Sequence, residues 1–342
     1  MSTFSLWLDA ADVTPQIPGS VVTIGNFDGV HRGHQHLLEQ VLRRVEETDG
    51  DGEELWPVAV TFRPHPRHAM GPTGAPPLIY SYEQRNELLR FYGMRAVLEL
   101  PFTREFAALT PEDFVRRYLV EALRAKVVVL GEDARFGRRN AGSVETMREL
   151  GEKYGFTTVV VEDLLDACGQ RYSSTRVREA VLEGDIALTN ELLGRPHSVS
   201  DTVHHGYKRG RELGFPTANL GSLPDGLIPA DGVYAGLVTV TEPAPGCAER
   251  GDDIAGAPAT ISIGTNPTFE TEGRPARTVE AYVHGRHDLD LYDSVIRIDF
   301  LAYQRPTLRF PSVESLVAQM AEDKAVTSRT IEELAPGLGG RA

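Results

Sequence analysis

The sequence predicts an α/β chain of two domains: a parallel sheet flanked by helices, then a small antiparallel barrel that ends in a helix. Three observations predict it. The chain has 342 residues, more than one ordinary domain holds and enough for two that each bury a core. In the first half, short apolar runs rich in β-branched residues alternate with amphipathic helical stretches, as a parallel sheet covered on both faces requires. From Ser198 onward, strands follow strands through turns, with no helical pattern until PSVESLVAQMAED (311–323).

Taken in order, the expected strands of the first half are SVVTI from Ser20, PVAVTF from Pro57, RAVLEL from Arg95, KVVVL from Lys126 and TTVVV from Thr157. Between them Leu37, Leu38, Val41, Leu42 and Val45 form one helical stripe, and Phe114, Tyr118, Leu119 and Ala122 another. A ligand of such a sheet sits at the carboxyl ends of its strands. After the helical DIALTNELLG (185–194) come the strands SVSDTVHHG, GVYAGLVTV, ATISIG, TVEAYVHG and VIRIDFLAYQ. The change of pattern lies within 193–200 and divides the chain into 1–193 and 194–342. Residues 225–231 and TEPAPGCAERGDDIAGAP (241–258) read as loops, the second long and mobile.

Composition excludes several classes. The hydrophobic fraction is 41%, and no apolar run approaches the roughly 20 residues of a membrane helix. The opening MSTFSLWLDAADVTP has acids and no Lys or Arg, unlike a secretory signal, so the expected location is the cytoplasm. Cys168 and Cys247 fall in different domains and read as free thiols. A net charge of −14 argues against nucleic acid as a partner. The local basic cluster YKRGR (207–211) then serves something smaller than a polymer. The oligomeric state is left open, a homo-oligomer included.

The segment GNFDGVHRGH follows the first of these strands directly. A strand that enters a helix through a glycine-rich turn aims backbone N–H groups and the positive end of the helix dipole at one point, which makes an anion site. His31 and His34 are three apart in the first turn, so both rings can face that point. Gly33 would let a phosphate approach the backbone.

GNFDGVHRGH resembles the HxGH signature of nucleotidyltransferases, and with its FD context it resembles the bacterial bifunctional riboflavin kinase/FAD synthetase family. TFRPHP (from Thr61), LGEDARFGRRNAG (from Leu130) and YSSTRVREA (from Tyr172) support the same resemblance. It implies a Rossmann-like nucleotidyltransferase fold for 1–193, where FMN is adenylylated. His31, His34 and Arg178 would carry charge in the transition state. Gly25, Asn26, Phe27, Asp28, Gly33 and Asp133 would contact nucleotide, together with Ser173, Ser174, Thr175 and Arg176 of the SSTxxR motif. Phe62, Pro64, His65, Pro66 and Phe136 would face the flavin. Ala134 stands where the family often has an aromatic residue.

In the second half, GFPTAN resembles the flavokinase PTAN motif, which implies a riboflavin kinase barrel over 194–342. Thr217 and Asn219 would then be oxygen ligands of Mg²⁺, with Gly206, Lys208, Arg209, Gly210 and Gly214 forming a flap over ATP. SIGTNPTF (from Ser262) and RPTLRF (from Arg305) resemble flavin-side segments of the same family, implying contacts from Asn266, Pro267, Thr268, Phe269 and Arg309. In TVEAYV, alternation puts Glu280 on the face opposite Val279, Ala281 and Val283, the place of an exposed strand residue. The resemblance makes Glu280 the general base. The implied ligands are riboflavin, FMN, FAD and ATP as co-substrate, with Mg²⁺ and no tightly bound prosthetic group. Two other readings stay open at the level of sequence: one module without activity, or a flavin-sensing binding protein.

Overall fold

The computed structural model describes residues 4–13, 17–49, 54–69, 75–205, 215–221, 224–271, 274–286 and 288–334, with backbone alone over 48–49, 265–271 and 274–276. The chain divides into two compact units, Met1–Ser174 and Thr175–Ala342.

In the first unit, β1 (Ser5–Trp7), β2 (Ser20–Ile24), β3 (Trp56–Arg63), β4 (Ala96–Pro101), β5 (Ala125–Gly131) and β6 (Thr157–Val161) form one sheet in the order β1-β4-β3-β2-β5-β6. Every pairing is parallel. The five expected strands are present, and SLW adds an edge strand that is too short to show periodicity. The helices are α1 (Arg32–Asp49), α2 (Pro66–Ala69), α3 (Tyr82–Phe91), α4 (Arg104–Ala107), α5 (Pro111–Phe114) and α6 (Val144–Tyr154). α5 continues over Val115–Ala122 as wider, π-type turns.

Alternate residues of the strands feed two cores. Val21, Ala59, Val97 and Val129 pack with Leu38 and Val41 of α1 and Leu89 of α3. Val22, Val58, Leu98 and Val128 pack with Phe114, Leu119 and Met147. The continuous apolar runs are thus explained by burial on both faces. Strand order reverses direction between β2 and β5, and a sheet of this kind opens a crevice at that point, beyond its carboxyl ends. The loops that leave β2 and β5 are GNFDGVHRGH and EDARFG.

The second unit holds β7 (His197–His204), β8 (Ala218–Leu220), β9 (Gly232–Glu242), β10 (Ala257–Thr271), β11 (Arg274–Val283) and β12 (Val295–Arg305). They close into an antiparallel barrel in the order β10-β11-β8-β7-β12-β9. Val199, Tyr234, Ile261, Val279, Ala281, Ile298 and Phe300 fill it, so a ligand must bind on its outside. Gly236 is required at the wall, because an added Cβ would lie 2.4 Å from the Asp299 carbonyl oxygen and 2.6 Å from Ile261. The terminal α9 (Val313–Leu334) is tied to the barrel by Arg305, which donates to both carboxylate oxygens of Asp323 at 2.8 and 2.6 Å, and by a Thr260–Thr327 hydroxyl contact of 2.8 Å.

The compact division falls ahead of the change in sequence pattern. α7 (Ser174–Glu183) and α8 (Ile186–Leu193) run through this interval. Ile186 is buried in the barrel's core cluster. Asn190 donates to the Phe300 carbonyl at 2.9 Å and accepts from the His197 N–H at 2.8 Å. The 241–258 loop also departs from expectation, for it is anchored rather than loose. Cys247 and Asp252 are buried, and Asp252 accepts from Arg250 at 2.8 Å and from Arg286 at 3.4 Å. Loop composition does not reveal a carboxylate neutralised by two arginines across a turn.

Candidate active sites

In the first unit, β2 ends beside β3, with the Gly25 N–H donating to the Val60 carbonyl at 3.0 Å. The chain then turns through left-handed backbone at Phe27 (φ 51°), Gly29 (φ 81°) and Val30 (φ 40°). For Phe27 and Val30 that conformation costs roughly 1–2 kcal/mol each. Both side chains are fully buried, which is worth about 1.5–3 kcal/mol apiece, so the turn holds. Phe27 folds back under Gly25, where an added Cβ would lie 3.1 Å from its ring, and its edge meets His34 at 5.3 Å between centroids. The side chain of Phe27, a residue expected at the nucleotide, is thus buried and packs against His34. Its apolar contacts outcompete exposure.

α1 begins at Arg32, directly after His31. The His31 and His34 rings stack at 3.7 Å with 20° between their planes, as the spacing of three predicts. The His34 backbone N–H points at His31 Nδ1 (3.4 Å), which assigns Nδ1 as acceptor and leaves Nε2 to carry the ring's donor proton. Gly33 serves the rings as well as any phosphate, since a Cβ there would sit 3.2 Å from His31 and 3.3 Å from Tyr172. Asp28 is buried. Its Oδ1 accepts from the Ile79 N–H at 2.9 Å, and its carbonyl accepts from the Ser174 hydroxyl at 2.8 Å. The SST segment is thus tied at Ser174 to the histidine loop. Thr175, Arg176 and Arg178 lie on α7 within the second compact unit, with Arg178 buried.

Phe62, expected at the flavin, is half-buried and packs on Phe102 and Phe106 at 5.6 Å. Phe136 is buried in the core and packs on Phe114 at 6.0 Å. Ala134 is partly buried against the same cluster. His65 is buried, its N–H donating to Tyr82 Oη at 2.8 Å, between the exposed Pro64 and the half-buried Pro66 at the start of α2. Asp133 is exposed and pairs with Arg171 at 2.6 Å. Arg171 also reaches Asp163 at 3.0 Å, whose carboxyl burial pushes above the ordinary aspartate value.

The sequence gives no hint of Arg85 and Glu99. Both are almost wholly buried, and Arg85 Nη2 donates to Glu99 Oε2 at 2.6 Å while its Nη1 reaches the carbonyls of Asn26 (3.2 Å) and Phe62 (3.1 Å). Burial lowers the Arg85 pKa, and Glu99 opposes the shift. An arginine in a helix and a glutamate in an apolar strand carry no distinguishing pattern.

In the second unit, β11 pairs with β8 so that Glu280 faces Asn219, and with β10 so that Glu280 faces Ser262. Val279, Ala281 and Val283 point into the core, as alternation predicts. The outer face differs from expectation. Tyr282 is buried there, against Phe215 at 5.1 Å and His284 at 5.5 Å, and Glu280 beside it is half-buried. Burial raises the Glu280 pKa, and a hydrogen bond from the Thr217 side chain partly offsets this. Asn219 Nδ2 donates to Thr217 Oγ1 at 3.3 Å and to the Thr217 carbonyl at 3.2 Å. Thr217 and Asn219 thus form one polar cluster with Glu280, more than 60 residues away in sequence, on the outside of a filled barrel. At the start of the same strand, Arg277 pairs with Asp231 at 2.8 Å and donates to the carbonyls of Ile228 and Pro229.

Gly206, Lys208, Arg209, Gly210 and Gly214 lie outside the described residues. Asn266, Pro267, Thr268 and Phe269 lie on β10, where only backbone is described, and Arg309 is exposed between β12 and α9.

Comparison with known proteins bears on both units. A FAD synthetase family model matches residues 14–176, and a riboflavin kinase model matches 193–331. The bifunctional riboflavin kinase/FMN adenylyltransferase of Escherichia coli K12 is 34% identical over 306 residues, covering 90% of this chain and 91% of its own. Its Bacillus subtilis counterpart is 31% identical over 317 residues, covering 92% and 93%. A Streptococcus pneumoniae crystal structure titled macrolide-efflux protein superposes with a TM-score of 0.80 at 29% identity, covering 96% of this chain and 99% of that one. Among the described residues no helix is long and apolar enough to cross a membrane. With both family models lying in order along one chain and relatives matched over nearly their full length, the chain belongs to the bifunctional riboflavin kinase/FMN adenylyltransferase family.

Proposed function

We propose that the chain makes FAD in two steps: riboflavin and ATP give FMN and ADP in the barrel, then FMN and ATP give FAD and pyrophosphate in the parallel-sheet unit. The observation that carries the first step is the Thr217–Asn219–Glu280 cluster. The ribityl hydroxyl is a poor nucleophile, and a carboxylate within hydrogen-bond reach takes its proton as the bond to the γ-phosphorus of ATP forms. Burial makes Glu280 a stronger base than a solvated glutamate. Its Thr217 partner fixes the carboxylate's direction.

The same cluster fits Mg²⁺. Asn219 commits its amide nitrogen to Thr217, so its oxygen is the atom left to coordinate, and with the Thr217 hydroxyl it supplies the hard oxygens that Mg²⁺ takes beside phosphates. When bound, the ion neutralises charge on the transferred phosphoryl group. Thr217 and Asn219 hold it, and Glu280 moves the proton.

For the second step, the stacked histidines at the start of α1 support a site for the α- and β-phosphates, with His31 Nε2 as donor to charge that develops as the FMN phosphate attacks. Ser173 and Ser174 belong to the same reading, as holders of the triphosphate. Pro64, His65 and Pro66 are our candidates for the flavin side, and Asp133 for the ribose. We place both steps in the cytoplasm, where ATP is present.

Incubating the purified protein with riboflavin, ATP and Mg²⁺ and separating the flavins tests the reading. FMN and FAD should both form. FMN alone would leave the first unit without activity, and unchanged riboflavin would leave a binding protein.

A further inference from the structure

We propose that the buried Arg85–Glu99 pair is a positioning device for adenylylation, fixing the nucleotide loop against the flavin loop. The inference rests on the adenylylation assigned above to the first unit. One guanidinium edge joins the carbonyls of Asn26, in the histidine loop, and Phe62, which precedes Arg63 and the Pro64–His65–Pro66 turn. Those two residues are far apart in sequence and belong to segments expected on opposite reactants. The other edge is anchored by Glu99 in the middle of β4, and Asn86 donates to the same Glu99 oxygen at 3.0 Å.

The arrangement goes beyond filling space. Glu99 Oε1 also faces Arg63 at 3.6 Å, and Arg63 in turn binds Glu83 at 2.7 Å. Tyr82 lies under both arginines, 4.7 Å from Arg63 and 5.0 Å from Arg85, while its hydroxyl accepts the His65 N–H. The first two turns of α3 and one strand glutamate therefore hold the backbone of the candidate flavin loop at two places and that of the histidine loop at one. An apolar core would bury the same volume without reaching any of these carbonyls. A buried ion pair is seldom better for stability than apolar residues of like size, so its presence here calls for another use. In-line attack demands that the FMN phosphate oxygen and the α-phosphorus sit about 3–3.5 Å apart and in line, and misplacement of about 1 Å costs about a hundredfold.

Two variants of the full chain separate positioning from stability. Arg85→Lys keeps the positive charge but cannot reach two carbonyls and a carboxylate at once. The double replacement Arg85→Met with Glu99→Leu removes both charges and keeps an apolar fill. In each, the rate of FAD formation from supplied FMN at saturating substrates should fall about ten- to a hundredfold, with a melting temperature near the parent's. FMN formation from riboflavin in the other unit should not change. If the double variant makes FAD at the parent rate, the pair only fills space and the proposal is overturned. Loss of the melting transition in both variants would assign the pair to stability and overturns it too. A parent chain that makes FMN but no FAD defeats the adenylylation reading itself, and this inference with it.

Discussion

Glu280→Gln is the sharpest probe of the kinase step. Glutamine keeps the side chain's size, and its amide oxygen still accepts from Thr217, so the geometry of the cluster survives. What disappears is the base. Proton removal by a placed carboxylate contributes about a hundred- to ten-thousandfold, or about 2.7–5.4 kcal/mol of barrier, and the loss should appear in kcat rather than in KM for riboflavin or ATP. The acid limb of the parent's kinase profile, which reports protonation of the base, should vanish in the variant.

Stability must not fall at the same time, and the sign can be worked out. A carboxyl whose pKa is raised by folding holds its proton more tightly in the native state than in the unfolded chain. Stability then drops as pH rises from 4.5 through the raised value, and above it the buried charge remains a constant loss. Glutamine carries no such charge, so the variant should melt at or above the parent's temperature at pH 7.5. The assay is separation of flavins after incubation with riboflavin, and in parallel with supplied FMN. FMN formation should fail while FAD formation from FMN continues. Parent-like phosphorylation by a fully folded Glu280→Gln would refute the general-base role and leave orientation of Mg²⁺-ATP by Thr217 and Asn219 as the source of rate.

Replacing His31 and His34 by Ala removes two donors from developing phosphate charge, each worth about 3 kcal/mol or roughly a hundredfold. FAD synthesis should collapse while FMN synthesis persists, and unaltered FAD synthesis in the double mutant would remove the stacked pair from the chemistry. A fragment that begins at Thr175 should phosphorylate riboflavin and melt higher than one that begins at Gly194, since the shorter piece loses buried Ile186 and the Asn190 bonds to Phe300 and His197; the Ile186 side chain alone is worth about 1.5–3 kcal/mol. Equal melting temperatures would show that α7 and α8 add nothing to the barrel. Burial holds the pKa of His197 and of His284 down from 6.5 to about 4. Each refuses in the fold a proton that the unfolded chain takes, so their stabilisation is complete above 6.5 and is lost as pH falls toward 4. Melting curves of His284→Gln should fall less than the parent's across that window, and parallel curves would contradict the shift.

The architecture was legible in the sequence because burial writes itself as period. Strands covered on both faces read as unbroken apolar runs, and TVEAYV declares its inner face by alternation. That GNFDGVHRGH leaves the carboxyl end of a strand was legible too, since it follows SVVTI directly; the strand order that puts it beside the loop after β5 was not. Nor were the environments of particular side chains. Phe27 reads as a loop residue beside a glycine, yet left-handed backbone turns it into the core beneath His34. Glu280 reads as solvated surface, yet Tyr282 and Phe215 cover the neighbouring outer wall. Arg85 and Glu99 leave no mark at all, because a single long-range pair has no period and the carbonyls it holds belong to segments far off in the chain. Periodicity records which face of an element is dry. It is silent about polar groups that meet across elements, and in both units those are the groups on which the proposed chemistry depends.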